Sequence, residues 1–249
     1  MKTFKARALV IKEYETGESD KRLVLLAKGR GKLVVHVRGA RKPKSKFMAA
    51  AQLFTYADFV IAEGRGFFSI TQAEVIESFY GIRTDYDSLC YAHLMVEMCE
   101  KTMLETDPMD DLLLLLIKGL WHLSKVGERS PLLIYCAFLF RFYACHGLAP
   151  QVNVCVVCGN ELRIDSGGFF RTEGILCHEH RPKEGYTAGI YFSSGAIMAL
   201  RHILNNDVSH AFRFNVSKSV LEELHKGAKQ LWMSHFGWKL ESERLIQSL

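Results

Sequence analysis

The first 80 residues consist of short apolar runs that are separated by segments containing glycine. Between residues 4 and 10 the apolar positions recur at every second residue, which is the period of a half-buried strand. The connections at residues 28–32 and 63–66 suit hairpins. Such short strands predict a small barrel, and an OB-type barrel is the commonest of these that binds oligonucleotides. The five strands are predicted at residues 4–10, 22–27, 33–37, 53–62 and 67–76.

Beyond about residue 78 the apolar positions recur at the spacing of helices. Pro108 is well placed near the start of the second predicted helix. The third begins at Ser130 and Pro131 and ends at Gly147. Because this third helix is apolar on most sides, we expect it at the centre of a bundle. The other helices are predicted at residues 89–103, 112–125, 193–204 and 217–236.

This change of period predicts an α+β chain with two domains. The N-terminal five-stranded OB-type β-barrel is expected to occupy residues 1–80, and an α-helical domain residues 81–249. The helical pattern breaks at about residues 150–190, where glycines are frequent. Within this segment residues 162–164 and 168–171 predict a tiny hairpin.

The hydropathy of the chain argues against a membrane-spanning protein and against an exported one. The mean hydropathy is +0.03, and the most apolar run, residues 112–117, is far shorter than the about 20 residues that span a membrane. The start of the chain has no apolar segment of signal-peptide length. We therefore expect a cytoplasmic protein that is not exported.

The net charge of +5 is unevenly distributed along the chain. The first 46 residues contain nine lysines and five arginines against four acidic residues, a net charge of +10, so the rest of the chain carries −5. Such asymmetry indicates a polyanionic partner for the basic end. Lysine and arginine neutralise phosphates, and neighbouring glycines let a backbone approach. The predicted DNA-binding residues are Lys28, Arg30, Lys32, Arg38, Arg41, Lys42, Lys44 and Lys46.

Aromatic residues near these cations offer two interpretations. Phe4, Tyr14, Phe47 and Phe54 can supply stacking faces, as aromatic residues do in single-strand binding grooves. They can equally fill the barrel core, which we favour for Phe4 and Phe54.

The sharpest chemical signal is a Cys-x-x-Cys pair, Cys155 and Cys158, which Gly159 follows. Two thiolates at this spacing grip one metal from a tight turn, and the glycine lets the backbone curl around the sulfurs. Cys177 and His180 repeat the two-residue gap. A redox pair is the alternative, but such a pair usually opens a helix in a βαβ unit, which we do not find.

The sequence thus predicts a structural zinc site with Cys155, Cys158, Cys177 and His180 as ligands, in an insertion at about residues 150–190. His178 is the alternative fourth ligand. Four protein ligands would leave no open position for catalysis. The other four cysteines lie among apolar residues, which predicts buried side chains; they are Cys90, Cys99, Cys136 and Cys145.

Signatures of common enzymes are missing from the sequence, which contains no P-loop, no His-Glu-x-x-His and no Gly-x-Ser-x-Gly motif. We therefore expect no catalytic residues and no enzyme activity.

Several segments resemble the RecO family of recombination mediators and DNA repair proteins. They are residues 8–21, which end in GESDK, GKL at 31–33, VRGARKPKS at 37–45 and QAEVIESF at 72–79. The helical body and the CVVCG turn at 155–159 agree with that family. Zinc-bearing members often complete the site with a second Cys-x-x-Cys pair, whereas here Cys177-x-x-His180 occupies that place.

The resemblance implies an OB-fold domain, a helical domain and an embedded zinc finger. It also implies binding of single- and double-stranded DNA and annealing of complementary strands. The implied partners are RecR, RecF and single-stranded-DNA-binding protein, and the implied outcome is loading of RecA. Two other functions stay open: a zinc-stabilised module that binds RNA or an acidic protein, and a metal-dependent nucleic-acid enzyme.

Overall fold

The structure, a computed structural model, describes residues 2–103, 109–181 and 189–246. Pro108 and residues 182–188 of the predicted zinc insertion lie outside the described residues. Contacts divide the chain into two compact units, Met1–Val126 and Gly127–Leu249. The division into domains 1–80 and 81–249 stays a prediction. The described part of the first unit contains the α-helices Tyr86–Thr102 and Asp110–Ser124 in addition to the strands.

The five predicted strands form a closed barrel, which confirms the predicted fold class. The order is β1-β2-β3-β5-β4, and the barrel closes because β1 pairs with both β2 and β4. Only β3 and β5 run parallel, through the pairs Val35–Phe68 and His36–Ser69. The strands are β1 Thr3–Thr16, β2 Asp20–Ala27, β3 Gly31–Val37, β4 Tyr56–Glu63 and β5 Phe68–Glu77.

The alternation of apolar residues along the strands fills the barrel interior. Ala8 of β1, Leu25 of β2 and Phe59 of β4 are all buried in one apolar cluster. The connection between β3 and β4 adds Phe47 and Ala51 to that cluster, so it closes one end of the barrel. Because burial of apolar surface is the main driving force of folding, this interior fixes the scaffold on which the basic loops are displayed.

β1 continues six residues beyond its predicted end at residue 10, because residues 12–16 also pair with β2. Two further details of the predicted strands are wrong. The fourth strand begins at Tyr56 rather than at residue 53, because Phe54 adopts a left-handed φ of 67° and turns its buried ring toward His93 of the following helix. Residues 164–166 form a 3-10 turn rather than a hairpin strand. The neighbouring Leu162 donates its N–H to the carbonyl of Asn153. This segment therefore belongs to the loop that contains Cys155 and Cys158, which is called the metal-ligand loop below.

Helices complete both units. The first unit contains α1 Tyr86–Thr102 and α2 Asp110–Ser124. The second contains α3 Pro131–Cys145, α4 Ser194–Asn205, α5 Lys218–His235 and the short α6 Glu243–Ile246. As predicted, α3 is buried on most sides, and it packs against both α4 and α5. None of the helices in the described ranges is long and apolar enough to cross a membrane.

A small sheet joins the metal-ligand turns to the helices of the second unit. Its strands are β6 Gly168–Arg171, β7 Gly174–Leu176 and β8 Ile190–Phe192, in the order β7-β6-β8. Phe170 of β6 stacks on Phe192 of β8 with ring centres 4.7 Å apart and meets Phe140 of α3 edge-on. The turn that precedes β6 and the turn that follows β7 therefore start from a packed base.

Candidate metal centre and candidate nucleic-acid interface

Two turns of the second unit bring the predicted metal ligands together. The ligand atoms of Cys155, Cys158, Cys177 and His180 all lie within 4.8 Å of one another. A tetrahedral zinc ion with Zn–S bonds of about 2.3 Å holds its sulfur ligands about 3.8 Å apart, so this cluster is close to the size that the ion requires. This Cys₃His group can hold a metal ion.

Backbone hydrogen bonds shape each of the two turns. In the first, the N–H of Gly159 donates to the carbonyl of Cys155 at 2.9 Å, and Gly159 has a φ of 73° that favours glycine. In the second, the N–H of His180 donates to the carbonyl of Cys177 at 3.1 Å. The curl that the sequence predicts after the Cys-x-x-Cys pair is therefore present.

The local electrostatics favour a thiolate at Cys155. Burial by itself raises the pKa of this thiol, but the backbone N–H groups of Cys158, Cys177 and Val157 face the sulfur and lower its pKa to about 6. Burial raises the pKa of Cys177, and the neighbouring Cys155 sulfur raises it further. A metal ion requires deprotonated ligands, and its charge would favour both thiolates together.

The two candidate histidines differ in position. His180 Nδ1 lies 3.1 Å from the sulfur of Cys177 and 3.9 Å from that of Cys155. His178 is exposed, and its ring meets Phe169 edge-on with ring centres 6.3 Å apart. The geometry favours His180, and its role as the fourth ligand stays a prediction.

A feature that the sequence did not indicate ties the metal-ligand loop to α4. Arg201 donates hydrogen bonds from Nε to the carbonyl of Val152 at 2.9 Å, and from Nη2 to the carbonyls of Asn153 at 3.3 Å and Leu162 at 3.2 Å. One turn later, Asn205 donates to the side-chain oxygen of Asn153. The segments before and after Cys155 in this loop, residues 152–153 and residue 162, are thus both hydrogen-bonded to α4.

The remaining cysteines are not members of this cluster. Cys90, Cys99 and Cys136 are buried, as predicted, and Cys145 is only partly buried. Burial raises the pKa of Cys90. These thiols are therefore packing residues rather than ligands of the cluster.

The predicted DNA-binding residues fall into two groups at opposite ends of β3. Lys28 and Arg30 lie in the turn that precedes β3, and Lys32 is the second residue of the strand. The others follow the end of β3 at Val37. Residues 30 and 38 are thus about 26 Å apart along an extended strand that rises about 3.3 Å per residue. The second group consists of Arg38, Arg41, Lys42, Lys44 and Lys46, which are all exposed.

Several of these cations already have partners. Arg41 forms a 3.0 Å ion pair with Glu15, Lys46 donates to the carbonyl of Thr71, and Lys32 donates to the carbonyl of Glu100. Asp20 accepts the N–H of Gly39 at 2.8 Å, and this bond, together with the nearby charges of Arg38 and Lys42, lowers the pKa of Asp20. The second group therefore rests on an anchored loop.

The aromatic residues near these cations separate into core and surface. Phe47 and Phe54 are buried, so they are core residues. Phe4 is half-buried and packs against the apolar cluster of the barrel, as favoured, while the guanidinium of Arg30 lies 4.3 Å from its ring centre. Tyr14 is also half-buried, with Arg22 at 4.8 Å and Lys12 at 5.5 Å from its ring centre.

A groove on the outer face of β3 is a second feature that sequence reasoning missed. Its volume is about 700 Å³, and it lies between the turn that contains Arg30 and the turn that connects β4 and β5. Alternation along β3 is the signal that could have indicated it, since Val35 and Val37 point into the barrel and their neighbours must point out. The side chains of this groove that can contact a ligand include Arg30, Lys32, Val34, His36, Glu63 and Phe67.

Comparison with known families covers nearly the whole chain. The family model described as "Recombination protein O N terminal" matches residues 1–79. The model described as "Recombination protein O C terminal" matches residues 83–244.

Curated relatives match over similar lengths. A protein of Acetivibrio thermocellus named "DNA repair protein RecO" is 39% identical over 227 residues, which are 91% of this chain and 89% of that protein. Proteins of the same name from Heliobacterium modesticaldum and Alkaliphilus metalliredigens are each 31% identical. They align with 100% and 93% of this chain and with 91% and 93% of their own lengths.

Proposed function

Because the chain belongs to the RecO family of DNA repair proteins, we propose that it binds single- and double-stranded DNA and anneals complementary strands. It acts as a mediator that helps to load the recombinase onto DNA coated by single-stranded-DNA-binding protein. Its protein partners in this proposal are RecR, single-stranded-DNA-binding protein, RecF and RecA. Such a protein works in the cytoplasm, at the nucleoid.

The observation that carries this proposal is the display of exposed cations on the loops of a closed barrel. Lys28 and Arg30 precede β3, and Arg38, Lys42 and Lys44 follow it, all of them exposed. Two DNA strands repel each other, and a surface that neutralises both lowers the barrier to their encounter. Base pairing then supplies the driving force, so the proposal requires no nucleotide hydrolysis and no catalytic residue.

The metal centre has a structural role in this proposal. The residues fit zinc, since three cysteine sulfurs and one histidine nitrogen form a donor set that zinc prefers. Cys155, Cys158, Cys177 and His180 would hold the ion, which would join the two turns of a segment that has little core of its own. Four protein ligands leave no position for substrate.

Binding measured across salt concentrations tests the proposal. We expect the wild-type protein to bind single- and double-stranded DNA oligonucleotides, with an affinity that falls steeply as salt rises, because phosphate contacts release counterions. Matched RNA oligonucleotides test the module that prefers RNA, and incubation with added divalent metal tests a nuclease. Salt-independent binding, a strong preference for RNA, or cleavage of the DNA would each contradict the proposal.

A further inference from the structure

The outer face of β3 connects the two groups of cations with a partly apolar surface. Lys32, Val34 and His36 occupy alternate positions of β3 and line the same groove. Val34 is 41% exposed, although both of its neighbours, Leu33 and Val35, pack into the barrel. The aliphatic side chain of Val34 and the imidazole of His36 thus point outward between the two groups of cations. This face of the strand can therefore contact apolar or aromatic groups of a ligand as well as its phosphates.

Phe67 stands at the side of this groove and is 43% exposed. It belongs to the turn between β4 and β5, where the N–H of Gly64 donates to the carbonyl of Phe67. The ring folds over Gly64, at which a Cβ atom would lie only 3.0 Å from the Cζ of Phe67. His36 meets the ring edge-on with ring centres 5.9 Å apart. These contacts orient an aromatic ring that is still open to solvent.

We propose that this groove is a track for unpaired nucleobases, in which Phe67 stacks on a base while Arg30 and Lys32 contact the neighbouring phosphates. This inference rests on the proposed DNA binding. It assigns the preference for unpaired strands to Phe67, which lies outside the basic loops. The volume of about 700 Å³ lies in the range of small-ligand pockets. The about 26 Å between the two cationic ends suits roughly four nucleotides, the short end of the known range for one OB fold.

The chemistry of the groove selects an unpaired strand over a duplex. Faces of bases are covered by their neighbours in a duplex, whereas a single strand can turn them toward an aromatic ring. The exposed carboxylate of Glu63 lines the same groove and repels phosphate, but it can accept hydrogen bonds from base amino groups. Bases are thus placed in the groove and phosphates toward Arg30 and Lys32.

Removal of the ring and removal of the bases together test this inference. The Phe67→Ala variant is compared with wild type in binding to oligothymidine, to an abasic strand of equal length and to a duplex. We expect Phe67→Ala to weaken oligothymidine binding roughly 5- to 150-fold, the range that base–aromatic stacking provides. Binding to the abasic strand and to the duplex should change less than about twofold, since both keep the phosphate contacts.

Two variants control for folding and for nonspecific aromatic contacts. Phe67→Trp should restore binding and give a tryptophan signal that oligothymidine quenches and the abasic strand does not. Tyr80→Ala removes a 70% exposed ring elsewhere in the first unit and should leave all affinities unchanged.

The outcomes separate this inference from the proposed function. If wild type binds DNA but Phe67→Ala binds oligothymidine equally well, or binds all three ligands more weakly in equal measure, the base track is wrong and phosphate binding stands. If wild type binds none of the DNA ligands, the proposed function itself fails.

Discussion

Cys158 is the one exposed cysteine among the four clustered ligands, which makes it a good position for testing the metal without disturbing the core. We predict that Cys158→Ser releases the metal and destabilises the second unit. With free zinc at about 100 times its Kd, loss of the site would cost about 2.7 kcal/mol of stability. Metal analysis and thermal unfolding measure both effects.

Cys145→Ser serves as the matched control, because Cys145 is a partly buried cysteine that is not one of the clustered ligands. It should retain the metal. Protein purified without chelators that contains no stoichiometric metal would overturn the assignment of the site.

The fourth ligand can be decided between two histidines that lie two residues apart. His180→Ala should weaken metal binding strongly, because its Nδ1 is 3.1 Å from the Cys177 sulfur, whereas His178→Ala should have little effect. Cobalt substitution followed by absorption spectroscopy provides the measurement, since removal of a nitrogen ligand alters the visible bands. Disappearance of the bands in His178→Ala alone would reverse the assignment.

At the scale of elements, α4 contributes more to the metal centre than its position in the sequence suggests. Arg201 holds three carbonyls of the loop that carries Cys155, and the planar fork of a guanidinium spreads its donors over Nε and Nη2 to reach them. We predict that Arg201→Ala weakens zinc affinity roughly tenfold, the lower end of the range seen when supporting residues of metal sites are replaced. Competition with a chromophoric chelator measures the affinity.

Arg201→Lys should recover only part of the affinity, because an ammonium group cannot match the fork of a guanidinium. Asn205→Ala removes a single 3.2 Å hydrogen bond to the same loop and should have a smaller effect. An unchanged zinc affinity in Arg201→Ala would show that the loop holds its shape without the helix.

The basic loop after β3 gives a prediction for DNA binding. We expect Lys42→Ala combined with Lys44→Ala to weaken binding to all DNA sequences alike and to lower the salt slope by about one ion for each phosphate that is no longer neutralised. Both lysines are exposed, and their removal leaves the ion pair of Arg41 with Glu15 intact. Fluorescence anisotropy at several salt concentrations measures the slope.

The double variant Lys226→Ala and Lys229→Ala removes the same charge from the exposed surface of α5. Its salt slope should equal that of wild type. The opposite pattern, a reduced slope only in the α5 variant, would place the DNA on the helices of the second unit.

Elements with strong periodicity could be predicted from the sequence, and those fixed by tertiary contacts could not. The alternation in β1 and the apolar surface of α3 indicated the barrel and the central helix. Phe54 looks like a strand residue, but its left-handed backbone places the ring against His93. The strands β7 and β8 have three residues each, which is too short for a pattern to emerge.

The candidate sites also contain residues that could be predicted from the sequence and residues that could not. The cysteine and histidine spacing sufficed to predict the cluster, because ligand chemistry restricts both residue type and gap. Phe67 was missed because the adjacent pair Phe67 and Phe68 reads as the start of an apolar strand, and only the barrel shows which ring is outside. Arg201 was missed because its partners are backbone carbonyls, which carry no signal in a sequence.

At the scale of the whole molecule, annealing without nucleotide hydrolysis is the function to test. The sequence concentrates positive charge at one end and contains no P-loop. The chain carries +10 in its first 46 residues, so its exposed cations can neutralise two strands without nucleotide hydrolysis. We predict that the protein anneals complementary single strands without a nucleotide cofactor. Annealing should slow as salt rises, because exposed charges are screened over about 8 Å at physiological ionic strength.

Many polycations accelerate annealing, so the decisive measurement uses strands that are coated with single-stranded-DNA-binding protein. A simple polycation such as polylysine should stall on coated strands, whereas a mediator that docks on the coating protein should still anneal them. We expect the docking site in an apolar pocket of the helical body, flanked by basic residues that receive an acidic peptide. Because docking and phosphate binding would then use different surfaces, the Lys42 and Lys44 double variant should still bind the coating protein while annealing more slowly. Annealing of coated strands at the spontaneous rate, or only after addition of ATP, would rule out the mediator.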